Sequence, residues 1–252
     1  MIKKGDYVTR NKYNNDILFK VNKIVNNKAI LSGVDLRLYA DADISDLRKS
    51  GVKIENVEYE ENNLDRSNYY YIPGIILHLD TDSDYLEKCM NYYKSKNIKC
   101  YGYVFEASEF SKKINELIIK HNPNIIVITG HDAYYKKTNK YKNSNYFIDT
   151  IKSIRKNIRL HEQIAIVAGA CQSDYVGLIR AGSSFASSPN HINIHALDPA
   201  IVASEIALND INSPLDVMNI LSKTNCKEEG FGGLKIRGMM ICGYPRKEQN
   251  WI

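Results

Sequence analysis

The chain has 252 residues, 44% hydrophobic and 25% charged, ordinary globular values that suit one sizeable domain plus one small one. Its 34 Lys and Arg against 29 Asp and Glu leave a dispersed net charge of +5 with no run of five basic residues, which argues against nucleic-acid binding and for a solvated lysine-rich surface. No apolar run approaches the roughly 18 residues of a membrane helix. The basic start MIKKGDYV has no apolar segment behind it, so no secretory signal is expected. The five scattered cysteines lack CxxC spacing, which disfavours a disulfide framework or a zinc site. A reducing, cytoplasmic setting without metal or cofactor is expected.

Residues 1–47 carry short alternating runs over 7–10, 17–24 and 29–31, separated by Asn14-Asn15-Asp16 and Asn26-Asn27, residues that tolerate turn conformations. This pattern predicts a small SH3-like β-barrel. A module of that size buries little apolar surface alone and should lean on its neighbour, whether it binds a partner or only stabilises the fold. Residues 48–72 are charged and amide-rich, with Glu58, Glu60, Glu61, Asn62 and Asn63, and predict a linker.

From residue 73 to 252 strand and helix patterns alternate. An apolar strand over 74–79 runs into Asp80, Asp82 and Asp84, carboxylates suited to a helix N-terminus, and a helix follows over 83–97. Then come a strand over 99–106, a helix over 108–121, a strand over 124–129, a loop over 134–145 and a helix over 147–158. A strand over 164–168, a fifth strand over 192–197, helices over 200–208 and 214–222, and an edge strand over 235–242 complete the series. Repeated βα units imply a doubly wound α/β fold with a mostly parallel sheet.

Two of these strands end alike. The run over 125–129 leads through Gly130 to His131, and the run over 164–168 leads through Gly169-Ala170 to Cys171. Either residue alone is more often packing than chemistry. Together at the carboxyl edge of one sheet, where loops carry function, they suggest a thiol nucleophile and a proton carrier. Glycine lets the backbone turn there, and the N–H groups of Gly130, Asp132 and Cys171 are candidates to hold an oxyanion.

An apolar run ending in histidine, followed about forty residues later by one ending in Ala-Cys, resembles the caspase-like clan of cysteine peptidases. Within that clan the segments MIKKGDYVTRNKYNNDILF, VITGHDAYYKK and AGACQSDYVGLIRAGSSFASSPN resemble the YabG-type sporulation proteases of spore-forming Firmicutes, over essentially the whole chain. The resemblance implies an arginine- or lysine-directed endopeptidase with His131 and Cys171 as its dyad. It also implies protein substrates of the spore coat and cortex, met in the mother cell of a sporulating bacterium. Many clan members have glycine directly after the histidine, where this chain has Asp132. A pocket for a basic side chain needs a carboxylate. Asp80 ranks first and Asp198 second, followed by Asp82 and Asp174, with helix capping as the alternative role for Asp82 and Asp198. Self-cleavage is expected near Lys49, Lys53 or Arg66, or in the loop bearing Lys136, Lys137, Lys140 and Lys142. Two other classes stay open: a glutaminase-type amidase using His191 or His195, and a non-catalytic spore-coat scaffold.

Overall fold

The computed structural model describes residues 2–51 and 69–244. Strands β1 (Tyr7–Arg10), β2 (Phe19–Val25), β3 (Lys28–Gly33), β4 (Tyr39–Asp43) and β5 (Leu47–Lys49) form one antiparallel sheet in the order β4-β3-β2-β1-β5. Asn26 and Asn27, with φ of 47° and 64°, turn β2 into β3 in the left-handed region that asparagine tolerates. Val8, Phe19, Val21, Ala29, Leu31, Ala42 and Leu47 form a small separate core. Strand β5 extends to Lys49, two residues into the segment expected to be a linker. Most of that segment, with Lys53 and Arg66, lies outside the described residues.

Next in order are β6 (Tyr70–Ile72), β7 (Ile76–Asp80), α1 (Ser83–Ser95), β8 (Cys100–Val104), α2 (Phe110–His121), β9 (Ile125–Thr129), β10 (Tyr134–Tyr135) and β11 (Lys140–Tyr141). They are followed by α3 (Ser144–Asn157), β12 (Ala165–Gly169), α4 (Tyr175–Ala181), β13 (Phe185–Ser187), α5 (Asp198–Leu208), α6 (Val217–Ser222), α7 (Lys227–Gly230), β14 (Phe231–Gly233) and β15 (Ile241–Gly243). A six-stranded sheet runs β14-β13-β12-β9-β7-β8. It is parallel throughout except for β14, which pairs antiparallel with β13.

Every residue of β7, β9 and β12 is buried, because alternate side chains enter different layers. Ile125, Val127, Ala165 and Val167 join Val202 and Ile206 of α5, while Ile126, Ile128 and Ile166 join Phe110, Phe147 and Ile151 of α2 and α3. This two-sided burial is what the continuous β-branched runs encode. Among the described residues, no helix is long and apolar enough to cross a membrane.

Two strand expectations are corrected. The parallel strand beyond β12 is β13, and residues 192–197 stay outside the sheet. The segment SSFASS looks polar, but three of its serines bond inward: the Ser184 hydroxyl accepts from the Ile166 N–H at 3.1 Å, and Ser187 and Ser188 each donate at 2.8 Å, to the Ala170 and Ile192 carbonyls. The edge strand expected over 235–242 is replaced by β14 against β13 and β15 against β6. The loop over 134–145 contains the short β10–β11 hairpin and the start of α3.

Phe147 is fully buried between α3 and α2, with its ring 6.2 Å from that of Phe110. Phe147→Ala should cost about 3–5 kcal/mol of unfolding free energy, read as a lowered urea midpoint.

Candidate active site

Strands β9 and β12 are paired from Ile125–Ala165 to Thr129–Gly169, so His131 and Cys171, each two residues further on, leave the same sheet edge. The backbone turns sharply after β12, with φ of 121° at Gly169 and 56° at Gln172. A Cβ at Gly169 would lie 2.2 Å from the Ser187 hydroxyl oxygen, and one at Gly130 would lie 2.6 Å from that of Thr81. Glycine is therefore required at both turns by close approach.

The Cys171 thiol is buried and donates to the Arg37 carbonyl at 2.8 Å, while the Ile194 N–H points at its sulfur from 3.3 Å. Burial pushes this thiol up to about 12, against the opposing pull of the Ile194 N–H and the Arg37 charge. His131 stacks face to face on Tyr39, with centroids 3.7 Å apart and planes 7° apart. Its Nδ1 lies 3.4 Å from the Thr81 hydroxyl. Its Nε2 lies 4.0 Å from the Asp82 carboxylate and has no hydrogen-bond partner. Burial draws the imidazole down to about 4, with the Asp82 and Asp80 carboxylates opposing it. The two side chains are not hydrogen-bonded to each other. Each instead meets the small β-module, the thiol at Arg37 in the turn between β3 and β4 and the imidazole at Tyr39, the first residue of β4.

The carboxylates separate by role. Asp80 and Arg37 form a fully buried ion pair, Nη1 to Oδ2, at 2.7 Å. Asp80 also accepts from the Thr129 hydroxyl at 2.7 Å and from the Asp82 N–H at 3.0 Å. Burial alone would raise its carboxyl, but Arg37, His78 and Thr129 together hold it well below the usual carboxylate range. Asp82 caps α1, accepting from the Asp84 and Tyr85 N–H groups, and takes the Tyr39 hydroxyl at 2.6 Å. Asp174 caps α4 through the Gly177 N–H at 2.9 Å. Asp198 begins α5 and is occupied by the Asn225 N–H at 2.7 Å and the Cys226 N–H at 3.2 Å.

Asp132 braces the histidine loop. Its carboxylate accepts from the N–H groups of Ala133 at 2.8 Å and Asn143 at 2.7 Å and from the Ser144 hydroxyl. The Ser144 oxygen in turn accepts from the Asp174 N–H at 2.9 Å, tying the turn after β9 to the turn after β12.

Several residues at the site had not been singled out from sequence. His78 bridges the Tyr93 hydroxyl at 3.0 Å and the Thr129 hydroxyl at 2.7 Å beneath the ion pair. A histidine inside the apolar strand IILHLD is a visible signal for it. Arg37, Tyr39 and Tyr85 converge through long-range folding, and their spacing carries no such signal.

A family model described as YabG peptidase U57 matches residues 3–64 and 49–245. The chain belongs to that family. It is 37% identical over 283 aligned positions to the sporulation-specific protease YabG of Bacillus subtilis (strain 168), covering 96% of this chain and 98% of that protein. Membership in the U57 family makes the chain a peptidase, and the two strand-end turns lie inside the longer matched segment.

In this peptidase His131 is drawn from 6.5 to about 4 by burial, so the unfolded chain takes up the proton first as pH falls. The associated stability is fully present above about pH 6.5 and lost as pH drops toward 4, and buried His78, also lowered, acts in the same sense. Asp80, held low, protonates only below that window. His131→Asn should therefore lose less stability than the parent between pH 7 and pH 4.5, by on the order of 2 kcal/mol, measured by urea unfolding at each pH.

Proposed function

We propose that the protein is a cysteine endopeptidase cutting after arginine, with a caspase-like α/β domain over 73–252 preceded by an SH3-like module over 1–47. The observation that carries the reading is the seat of a guanidinium on buried Asp80, on the arginine whose carbonyl accepts from the Cys171 thiol. Lysine would fit the charge of that seat. Arginine fits its geometry better, because Nε reaches the Ala196 carbonyl at 3.3 Å while Nη1 reaches Asp80.

In this reading Cys171 passes its proton to His131 and its sulfur adds to the substrate carbonyl carbon. Backbone N–H groups of Gly130, Asp132 and Cys171 hold the resulting oxyanion. As the peptide C–N bond breaks, His131 returns the proton to the leaving amine, and water then hydrolyses the thioester and restores the thiol. The Bacillus subtilis relative is named a sporulation-specific protease; in this reading the substrates are spore coat and cortex-associated proteins met in the mother cell. No observation favours the amidase reading. His191 is stacked 4.8 Å from Tyr134, and the Nδ1 of His195 accepts from the Leu197 N–H at 3.2 Å.

Cys171→Ala should abolish cleavage of arginyl peptides, and His131→Ala should lower kcat/KM by roughly 10³-fold or more with the circular dichroism spectrum unchanged. Substitutions of Cys100 and Cys242 should leave turnover intact. Asp80→Asn should reduce kcat/KM for arginyl peptides by about 10²-fold or more through loss of a buried charge-assisted contact. Wild-type turnover of such peptides by Asp80→Asn would falsify the assignment of the arginine seat.

A further inference from the structure

The turn between β3 and β4 packs against residues 194–196 in the manner of a bound peptide. The Arg37 N–H donates to the Ile194 carbonyl at 3.1 Å, and the Ala196 N–H donates to the Asp35 carbonyl at 2.8 Å. Leu36 and His195 form an antiparallel bridge between these two contacts. Asp35 is exposed, Leu36 half-buried and Arg37 fully buried, so the guanidinium enters the protein while the main chain runs along residues 194–196.

Inside, the guanidinium meets Asp80 at 2.7 Å, the Ala196 carbonyl at 3.3 Å and the Cys89 sulfur at 3.6 Å, with its carbon 5.1 Å from the centre of the Tyr85 ring. The Arg37 carbonyl takes the proton of the Cys171 thiol. Just beyond, Tyr39 covers His131. Tyr85 clamps the turn from below, its hydroxyl lying 2.7 Å from the Gly33 carbonyl and 2.9 Å from that of Leu36.

We propose that residues 34–38 are an intramolecular pseudosubstrate: Arg37 fills the arginine subsite, the turn pairs with residues 194–196 where a substrate strand would lie, and the resting enzyme is shut until the turn withdraws. This rests on the arginine-peptidase reading and deepens it by naming the peptide-binding edge and the group that occupies it. Withdrawal alone would leave the Asp80 charge buried without its partner, a costly state. An incoming arginyl peptide supplies the same guanidinium, so exchange of one arginine for another is the low-energy route into the site. Tethering gives the turn a high effective concentration, which a free peptide must overcome.

The test is the rate at which iodoacetamide alkylates Cys171, read by mass spectrometry of the modified peptide with Cys100 and Cys242 as internal standards. Arg37→Gln should accelerate labelling of Cys171 at least tenfold relative to the parent, leave the standards unchanged, and raise kcat/KM for a short arginyl peptide. Because that variant strands the Asp80 charge, Arg37→Gln/Asp80→Asn serves as a second protein in which the buried pair is neutral, and its labelling should also be faster than the parent's. Equal labelling rates in the parent and both variants would overturn the proposal. Accelerated labelling with no cleavage of arginyl peptides by Arg37→Gln would keep the plug and remove the arginine-peptidase reading, so the two fail separately.

Discussion

The buried ion pair between Arg37 and Asp80 is the contact on which the arrangement of this molecule turns. Neither side chain is exposed, and both were taken from water, so the pair survives only because its remaining polar atoms are met. Asp80 has Thr129 and the Asp82 N–H, and Arg37 has the Ala196 carbonyl. Such a pair is weak as a source of net stability, yet losing one partner costs about 3–5 kcal/mol. Its effect is therefore to make one docking of the small β-module far better than any other. A module whose own core holds little more than Val8, Phe19, Val21, Ala29 and Leu31 depends on that docking for its position.

Docking also sets the electrostatics of the cleft. With the turn in place burial acts on both groups in the sense that disfavours charge, raising the Cys171 thiol and lowering the His131 imidazole. A thiolate–imidazolium pair is thus opposed from both sides. Both groups are thereby held in their neutral forms, with Tyr39 stacked on the imidazole. Entry of water or of a substrate with its own dipoles would relieve both shifts together, because both share burial as their leading cause.

The sheet and the strand-end turns were legible in sequence because their cause is local. Runs such as IIVIT and AIVAG have no polar face, so they must be covered on both sides, and the glycine after each marks a turn that side chains would block. Of the carboxylates proposed from sequence, Asp80 at the end of β7 is paired with Arg37, Asp82 and Asp174 are helix caps, and Asp198 is held by residues 225 and 226. What sequence left hidden is long-range. Arg37 and Asp80 are 43 positions apart, and Cys171 and Arg37 are 134 apart. No spacing rule connects such positions, because the contact belongs to the packing of one module on another. Strand β13 was hidden for a different reason: its serines look solvated, but Ser184 and Ser187 bond inward.

The misplaced fifth strand carries a physical lesson about the site. Residues 192–197 alternate apolar and polar, with Ile194 and Ala196 buried and His195 between them less so, the pattern of an extended segment with one covered face. That inference about conformation is sound, because the segment pairs in antiparallel fashion at Leu36 and His195. The error lay in the partner. An extended segment beside a sheet but outside its ladder has backbone donors and acceptors to satisfy, and an unsatisfied edge invites another strand. Here Asp35 and Arg37 of the same chain satisfy them. The segment that sequence assigned to the sheet as its fifth strand is instead an edge that pairs with the backbone of residues 35–37. It lies beside the thiol, since the Ile194 N–H that flanks this pairing also points at the Cys171 sulfur.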